Sequence, residues 1–233
     1  TTGKTRGGVS PGDGIQAINF GTDLTINAAT TTGGRNGIKA INNEGTGALS
    51  ITTTGKTTGG TGHGIDAYNA GSGGTSITVA STGSIETSAD KGYGIYNKSS
   101  GTAAKLNEIT VAGTINTTGA GAHGIVQDGG TSIANISGTV SAEGELAAAV
   151  FHKFGSGHTV NLAESAVIIG SISAANEASN NILVYDEDAD YELTIGGEVD
   201  VKTGSKDEIK GTGAGQWTFY IEDDDGQLST KDP

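Results

Sequence analysis

Histidines and scattered carboxylates are the residues best equipped for chemistry in this chain, because it has no cysteine. That absence excludes disulfides, thiolate nucleophiles and thiolate metal sites together. His63 and His123 each stand directly before a Gly-Ile pair and read as surface turn histidines. His152 and His158 flank Phe154-Gly155-Ser156-Gly157, a spacing that brings them together in one loop and makes them candidates for partner contact. The acids crowd the C-terminal end, in Asp186, Asp188 and Asp190 and again in Asp223, Asp224 and Asp225. Asp186-x-Asp188-x-Asp190 opens like a calcium loop, but Tyr191 occupies the place of the required Gly and Gly197 that of the chelating Glu. Both acidic groups therefore read as solvated loops that would favour a basic partner.

Catalytic patterns fail on closer reading. Glycan cleavage on a β-helix needs paired carboxylates, or calcium ligands beside a strong base. The chain has only Arg6 and Arg35 as arginines, and Asp23, Glu44, Asp66, Glu86, Glu108 and Asp128 are singly placed. Gly55-Lys56-Thr57 ends like a phosphate-binding loop, but Ser50 replaces its first Gly and no helical pattern follows. Gly59-Gly60-Thr61-Gly62-His63 approaches a calcium nonapeptide, yet Gly64 stands where Asp is needed. No catalytic, metal or cofactor site is assigned, and the expectation is a protein that is not an enzyme.

The elements that would carry these residues are short and repeated. The 41 Gly and 33% hydrophobic residues leave too little apolar material for a compact α/β enzyme. Disorder is the alternative, but it predicts no apolar periodicity. Here Gly-Ile recurs at Gly14-Ile15, Gly37-Ile38, Gly64-Ile65, Gly94-Ile95 and Gly124-Ile125, in steps of 23, 27, 30 and 30 residues, with Ala149-Val150 as a degenerate copy. A second, β-branched run follows about eleven residues after each Ile: Leu24-Thr25-Ile26, Leu49-Ser50-Ile51, Ile77-Thr78-Val79, Ile109-Thr110-Val111 and Ile133-Ala134-Asn135-Ile136. A third motif, Gly-x-Ile/Val, appears at Ile85, Ile115, Val140, Ile172 and Val199, with Gly55-Lys56-Thr57 in the same slot and Gly3-Lys4-Thr5 resembling it.

Each repeat thus holds three short strands, none able to bury a face alone. Coiling stacks each strand on its equivalent, about 4.8 Å away. The fold expected is all-β, a right-handed parallel β-helix of three short strands per coil and roughly eight coils. Residues 1–180 would form the repeats, and 181–233 the last coils with an acidic, aromatic cap or junction around Trp217-Thr218-Phe219-Tyr220-Ile221. Asn19, Asn42 and Asn69 end the first strand in successive repeats and suggest a side-chain ladder, with Asn97 as their fourth member. The slot before Gly-Ile holds Asp13, Asn36, His63, Tyr93 and His123, a mixture suited to an exposed turn. The Gly that follows suits a positive φ or a tight corner.

The net charge of -13 disfavours nucleic acid and anionic membrane surfaces. No stretch is long and apolar enough to span a bilayer as a helix.

Repeated Gly-Ile-x-Ala-x-Asn, Leu-x-Ile-Thr and Gly-x-Ile/Val between Thr/Gly turns resemble the passenger domains of bacterial autotransporters, over about residues 7–222. In texture they are similar to the angiogenic passengers of Bartonella. The resemblance implies a secreted or cell-surface, β-helical virulence factor. Its partner would be a host cell-surface protein or matrix component, or further copies of itself as an adhesin stalk. It also implies membrane attachment only through a β-barrel absent from this chain. Contact regions expected on that reading are the loops near Gly59–His63, Ser99–Lys105 and His152–His158, with the acidic C-terminal segment.

Overall fold

The computed structural model describes residues 5–6, 12–43, 45–100, 106–154, 158–163, 165–174, 180–184, 192–195, 199–202, 217–222 and 228–231. Side chains are described from residue 12 to Ile172 within these ranges, Ser171 excepted. The described chain forms a parallel β-solenoid of about six turns, with three strands per turn and no helix among the described residues. The eight coils suggested by length are not reached among the described residues, where the third sheet ends at Val167–Ile169.

The Gly-Ile segments stack into one sheet: Ile15–Asn19, Ile38–Asn42, Ile65–Asn69, Ile95–Ser99, Ile125–Asp128, Ala148–Phe154 and Ser171–Ala174. The β-branched runs form a second: Leu24–Ala28, Leu49–Thr53, Thr75–Val79, Leu106–Val111, Thr131–Ile136, His158–Leu162, Asn180–Val184 and Trp217–Glu222. The third holds Thr5–Arg6, Thr31–Gly33, Lys56–Gly59, Ser84–Thr87, Thr114–Thr117, Thr139–Ala142 and Val167–Ile169. The first two sheets end in antiparallel pairs, Glu192–Ile195 with Val199–Lys202 and Trp217–Glu222 with Leu228–Lys231. Most of the expected cap over 181–233 lies outside the described residues.

Register is kept residue for residue. Ile15, Ile38, Ile65, Ile95, Ile125, Val150 and Ile172 form one column. Ile26, Ile51, Ile77, Ile109, Ala134 and Val160 form a second. Thr57, Ile85, Ile115, Val140 and Ile168 form a third. Most of these side chains have no exposed surface, and each fully buried Ile contributes about 2 kcal/mol of transfer free energy. The alternation of buried and exposed residues follows from the two-residue period of a strand.

The register moves three assignments. Ile172 pairs with Val150 in the Gly-Ile sheet, and Val167–Ile169 supplies the third-sheet strand of that turn. Only Gly170, at φ 113°, separates the two strands, so Gly-Ser-Ile there begins a new turn. Val199 pairs antiparallel with Ile195 and takes no place in the third sheet. Asn97 stacks on Ala67, while Ser99 stacks on Asn69, so Asn97 is not the fourth rung of the asparagine ladder. The first three rungs do bond: Asn19 Nδ2 donates to Asn42 Oδ1 at 2.7 Å, and Asn42 Nδ2 to Asn69 Oδ1 at 3.3 Å.

From the fourth turn the interior becomes polar. Asn97, Gln127 and His152 replace the Ala17, Ala40 and Ala67 column, and Asn107, Ser132 and His158 continue the Leu49 and Thr75 column. All six of these polar side chains are buried. Asn97 Nδ2 donates to Gln127 Oε1 at 2.8 Å.

Candidate interaction face

Outward positions of the three sheets differ in kind. The second sheet presents Thr25, Ser50, Ser76, Thr52, Thr78, Thr110, Asn135 and Asn161, which are short and polar, with Glu108 and Ile133 as larger members. The third presents mainly Thr, Ser, Glu86 and Asn116. The Gly-Ile sheet alone presents large rings, together with long charged chains. Its two outward columns run Gln16, Lys39, Asp66, Tyr96, Val126, Phe151 and Ile18, Ile41, Tyr68, Lys98, Asp128, Phe154.

The corner before this sheet extends the aromatic surface. His63 stacks on Tyr93 with ring centroids 4.8 Å apart, Tyr93 on His123 at 5.3 Å, and His123 on Phe151 at 4.5 Å. Tyr96 leans against His63 and Tyr93 from the sheet itself. These rings are half-buried.

The corner slot has a task beyond forming a turn. Asp13 Oδ1 accepts the backbone N–H of Asn36 at 3.2 Å, and Asn36 Oδ1 that of His63 at 2.8 Å. His63 Nδ1 accepts the N–H of Tyr93 at 3.0 Å, and His123 Nδ1 that of Ala148 at 2.9 Å. The slot therefore selects side chains with an acceptor reaching the next turn, and acid, amide and imidazole all qualify. Burial lowers the pKa of both imidazoles and keeps them in the accepting, neutral form. The Gly after the slot does not need positive φ. A Cβ on Gly94 would lie 2.5 Å from Gly124 O and against the Ile115 side chain, so close approach explains it.

Charges on the face are matched locally. Lys39 Nζ lies 3.7 Å from Asp66, and Lys153 Nζ 3.2 Å from Asp128. Tyr96 Oη donates to Asp128 Oδ2 at 2.5 Å, and burial together with that bond raises the phenol pKa. Lys98 Nζ sits 5.9 Å from the centre of the Tyr68 ring. Phe154 is 60% exposed with Lys153 Nζ over its ring, which makes it the most accessible aromatic of this face outside the first turn. Arg35, one of the two arginines weighed as a lyase base, is engaged by Asp13 through two hydrogen bonds of 2.9 and 2.6 Å. Burial works against the Asp13 carboxylate, but Arg35 and the Asn36 N–H hold its pKa below the usual value.

His152 and His158 do come together, with parallel rings 4.3 Å apart. They meet inside the solenoid, each with no exposed surface, and not in a surface turn. Ser132 Oγ lies 2.7 Å from His158 Nδ1. Burial, only partly opposed by the Phe154 backbone, lowers the His158 pKa to about 4. A partner at this place would touch Lys153 and Phe154 and not the imidazoles. Asp186, Asp188, Asp190, Asp223, Asp224 and Asp225 lie outside the described residues. Among the described residues no three His, Asp or Glu side chains gather as a metal site would require. The aromatic face was missed in the sequence because its members occupy the variable x positions of Gly-Ile-x-Ala-x-Asn. Tyr68, Tyr96 and Phe151 at alternate strand positions were the available signal.

Compared with protein-family models, curated proteins and solved structures, the chain matches none.

Proposed function

We propose that the chain is a secreted or cell-surface passenger domain of the bacterial autotransporter type. On this reading it is a right-handed β-helix that binds a host cell-surface protein or matrix component without catalysis. The observation that carries the reading is the concentration of Tyr68, Tyr93, Tyr96, Phe151 and Phe154 on one side of a rod whose other described faces present no aromatic ring. Protein interfaces are enriched in Tyr and Phe and derive most of their affinity from a few such anchors. A stacked rod also presents its anchors in a fixed row, which lowers the ordering cost of binding. Residues 181–233 would cap or join the rod.

Binding of the purified chain to host cells, receptor ectodomains and matrix proteins tests this. Phe154→Ser with Tyr68→Ser should weaken binding about tenfold or more, given the typical cost of losing an aromatic anchor. Charge reversal at Asp223, Asp224 and Asp225, assayed in parallel, asks whether the acidic segment shares the contact. Binding unchanged by every variant would remove the face and the segment alike.

Self-association is a second reading. Ile18 and Phe20 are 51% and 73% exposed in the first turn, and Val167 and Ile169 are about half exposed in the sixth. Ile18 faces outward from the Gly-Ile sheet and Val167 and Ile169 lie on the third, so a contact between them joins two different patches and gives open chains when the rotation does not close. Sedimentation that shows one monomeric species at all concentrations would dismiss it.

A further inference from the structure

We infer that the outer face of the third sheet carries a subsite for a neutral oligosaccharide, in a groove across Thr58, Glu86, Ser88, Asn116 and Thr118. The inference goes beyond the binding reading above and holds whether or not the chain is an exported passenger. The groove has a volume of about 160 Å³, suited to one sugar ring and well below a drug-sized pocket. Its walls come from three consecutive turns, because Thr58, Glu86 and Asn116 are register partners.

Asn116 Oδ1 is the reason to expect a ligand. This oxygen is buried and makes no hydrogen bond within the protein. An acceptor left so costs about 1–3 kcal/mol, which a donating hydroxyl would recover. Thr87 and Thr117 cannot supply it, since their hydroxyls turn inward to the carbonyls of Gly92 and Ala122. Ser88 and Thr118 are exposed beside the groove and can both donate and accept.

Charge decides among ligand classes. Lys56 Nζ lies 2.5 Å from Glu86 Oε2, so the carboxylate is already matched. A divalent cation would need several charged oxygens and would have to displace Lys56. An anion would face Glu86. A neutral polyol meets neither penalty and pairs with the hydroxyl, amide and carboxylate groups available. The same columns continue upward through Ser141 and Glu143, joined by a 3.1 Å bond from Ser141 Oγ to Glu143 Oε1. A chain of sugars would thus lie along the axis and meet a polar rung at each turn, about every 4.8 Å. No aromatic platform lines the groove, so affinity per ring should be weak, with Kd on the order of 1 mM.

The test is a titration of the full chain followed by NMR, with cellotetraose, chitotetraose and mannotetraose as probes and calcium chloride and inorganic phosphate beside them. At least one tetrasaccharide should shift the Asn116 side-chain amide and the Thr118 backbone amide saturably. Thr118→Arg, an exposed change that fills the groove without touching the core, should abolish those shifts. Asn116→Ala should weaken them about tenfold, the worth of one good hydrogen bond. The proposal is overturned if no tetrasaccharide shifts these signals, if the shifts persist in Thr118→Arg, or if only calcium or phosphate produces them.

Discussion

Acidifying the protein from pH 7.5 to 4.5 should cost it about 2–3 kcal/mol of stability through His158 alone. The ring is fully buried, pressed against His152 and bonded at Nδ1 to Ser132, and burial lowers its pKa to about 4. In the unfolded chain it titrates at about 6.5. The folded state therefore binds the proton less readily. Stability is complete above the unfolded pKa, falls as pH drops below it, and levels off near the folded value. Full protonation would cost about 3 kcal/mol, at 1.36 kcal/mol per pKa unit. His63 and His123 act in the same direction, because their pKa values are also lowered by burial. Asp13 acts only lower down: its depressed pKa makes its contribution disappear below about pH 4, outside this window. Urea unfolding followed by far-UV circular dichroism at several pH values measures the slope. His158→Asn keeps a group able to bond Ser132 and removes the titration. Its curve should lie flatter than the parent's by about 2–3 kcal/mol between pH 7.5 and 4.5. Parallel curves would show that the imidazole is solvated in the folded state, and the account of a closed polar interior would fail.

Other substitutions test separate features by the same unfolding assay. Ile65→Ala, in the middle of the Gly-Ile column, should cost about 2–5 kcal/mol, and a smaller loss would mean the turns collapse onto the cavity. Gly94→Ala should cost about 1–3 kcal/mol from the clash with Gly124 O, whereas Gly21→Ala, with open space around its Cβ, should change stability by less than about 1 kcal/mol; equal effects would refute the close-approach argument. Asn42→Ala leaves Asn19 without its acceptor and empties a buried rung, and should cost about 1–3 kcal/mol. Arg35→Ala removes the two bonds to Asp13 but leaves the 2.9 Å bond from Asn36 Nδ2, so with Arg35 half-exposed the loss should stay near 1 kcal/mol or less.

The solenoid was legible because a parallel stack repeats the same physical problem at every turn. Ile15, Ile38, Ile65, Ile95 and Ile125 answer it with the same residue, and counting from one to the next locates the strands. Legibility failed where one local pattern serves two places. Gly-x-Ile opens third-sheet strands at Ile85 and Ile115, yet at Ile172 it opens a Gly-Ile strand, and only the long-range pairing distinguishes them. Asn97 misled for a related reason: a strand has period two, so a polar residue two places early still points inward. The aromatic face was harder to see, since outward positions are not constrained by packing and carry no repeat. The histidines were read as surface groups because imidazole is polar, whereas His63 and His123 accept backbone bonds and His152 and His158 stack inside.

The corner acceptors settle a question the aliphatic columns leave open. A newly arriving turn could slide by two residues along its neighbour and still keep every Ile, Leu and Val out of water. It could not slide and still offer its N–H to Asn36 Oδ1 or His63 Nδ1, which sit at the same place as Asp13 and His123 in their turns. Oil sets which side of the ribbon faces in, while a single polar atom in most laps sets the phase. Loops between laps can then lengthen or shorten freely, as their unequal lengths show, without the rod losing count.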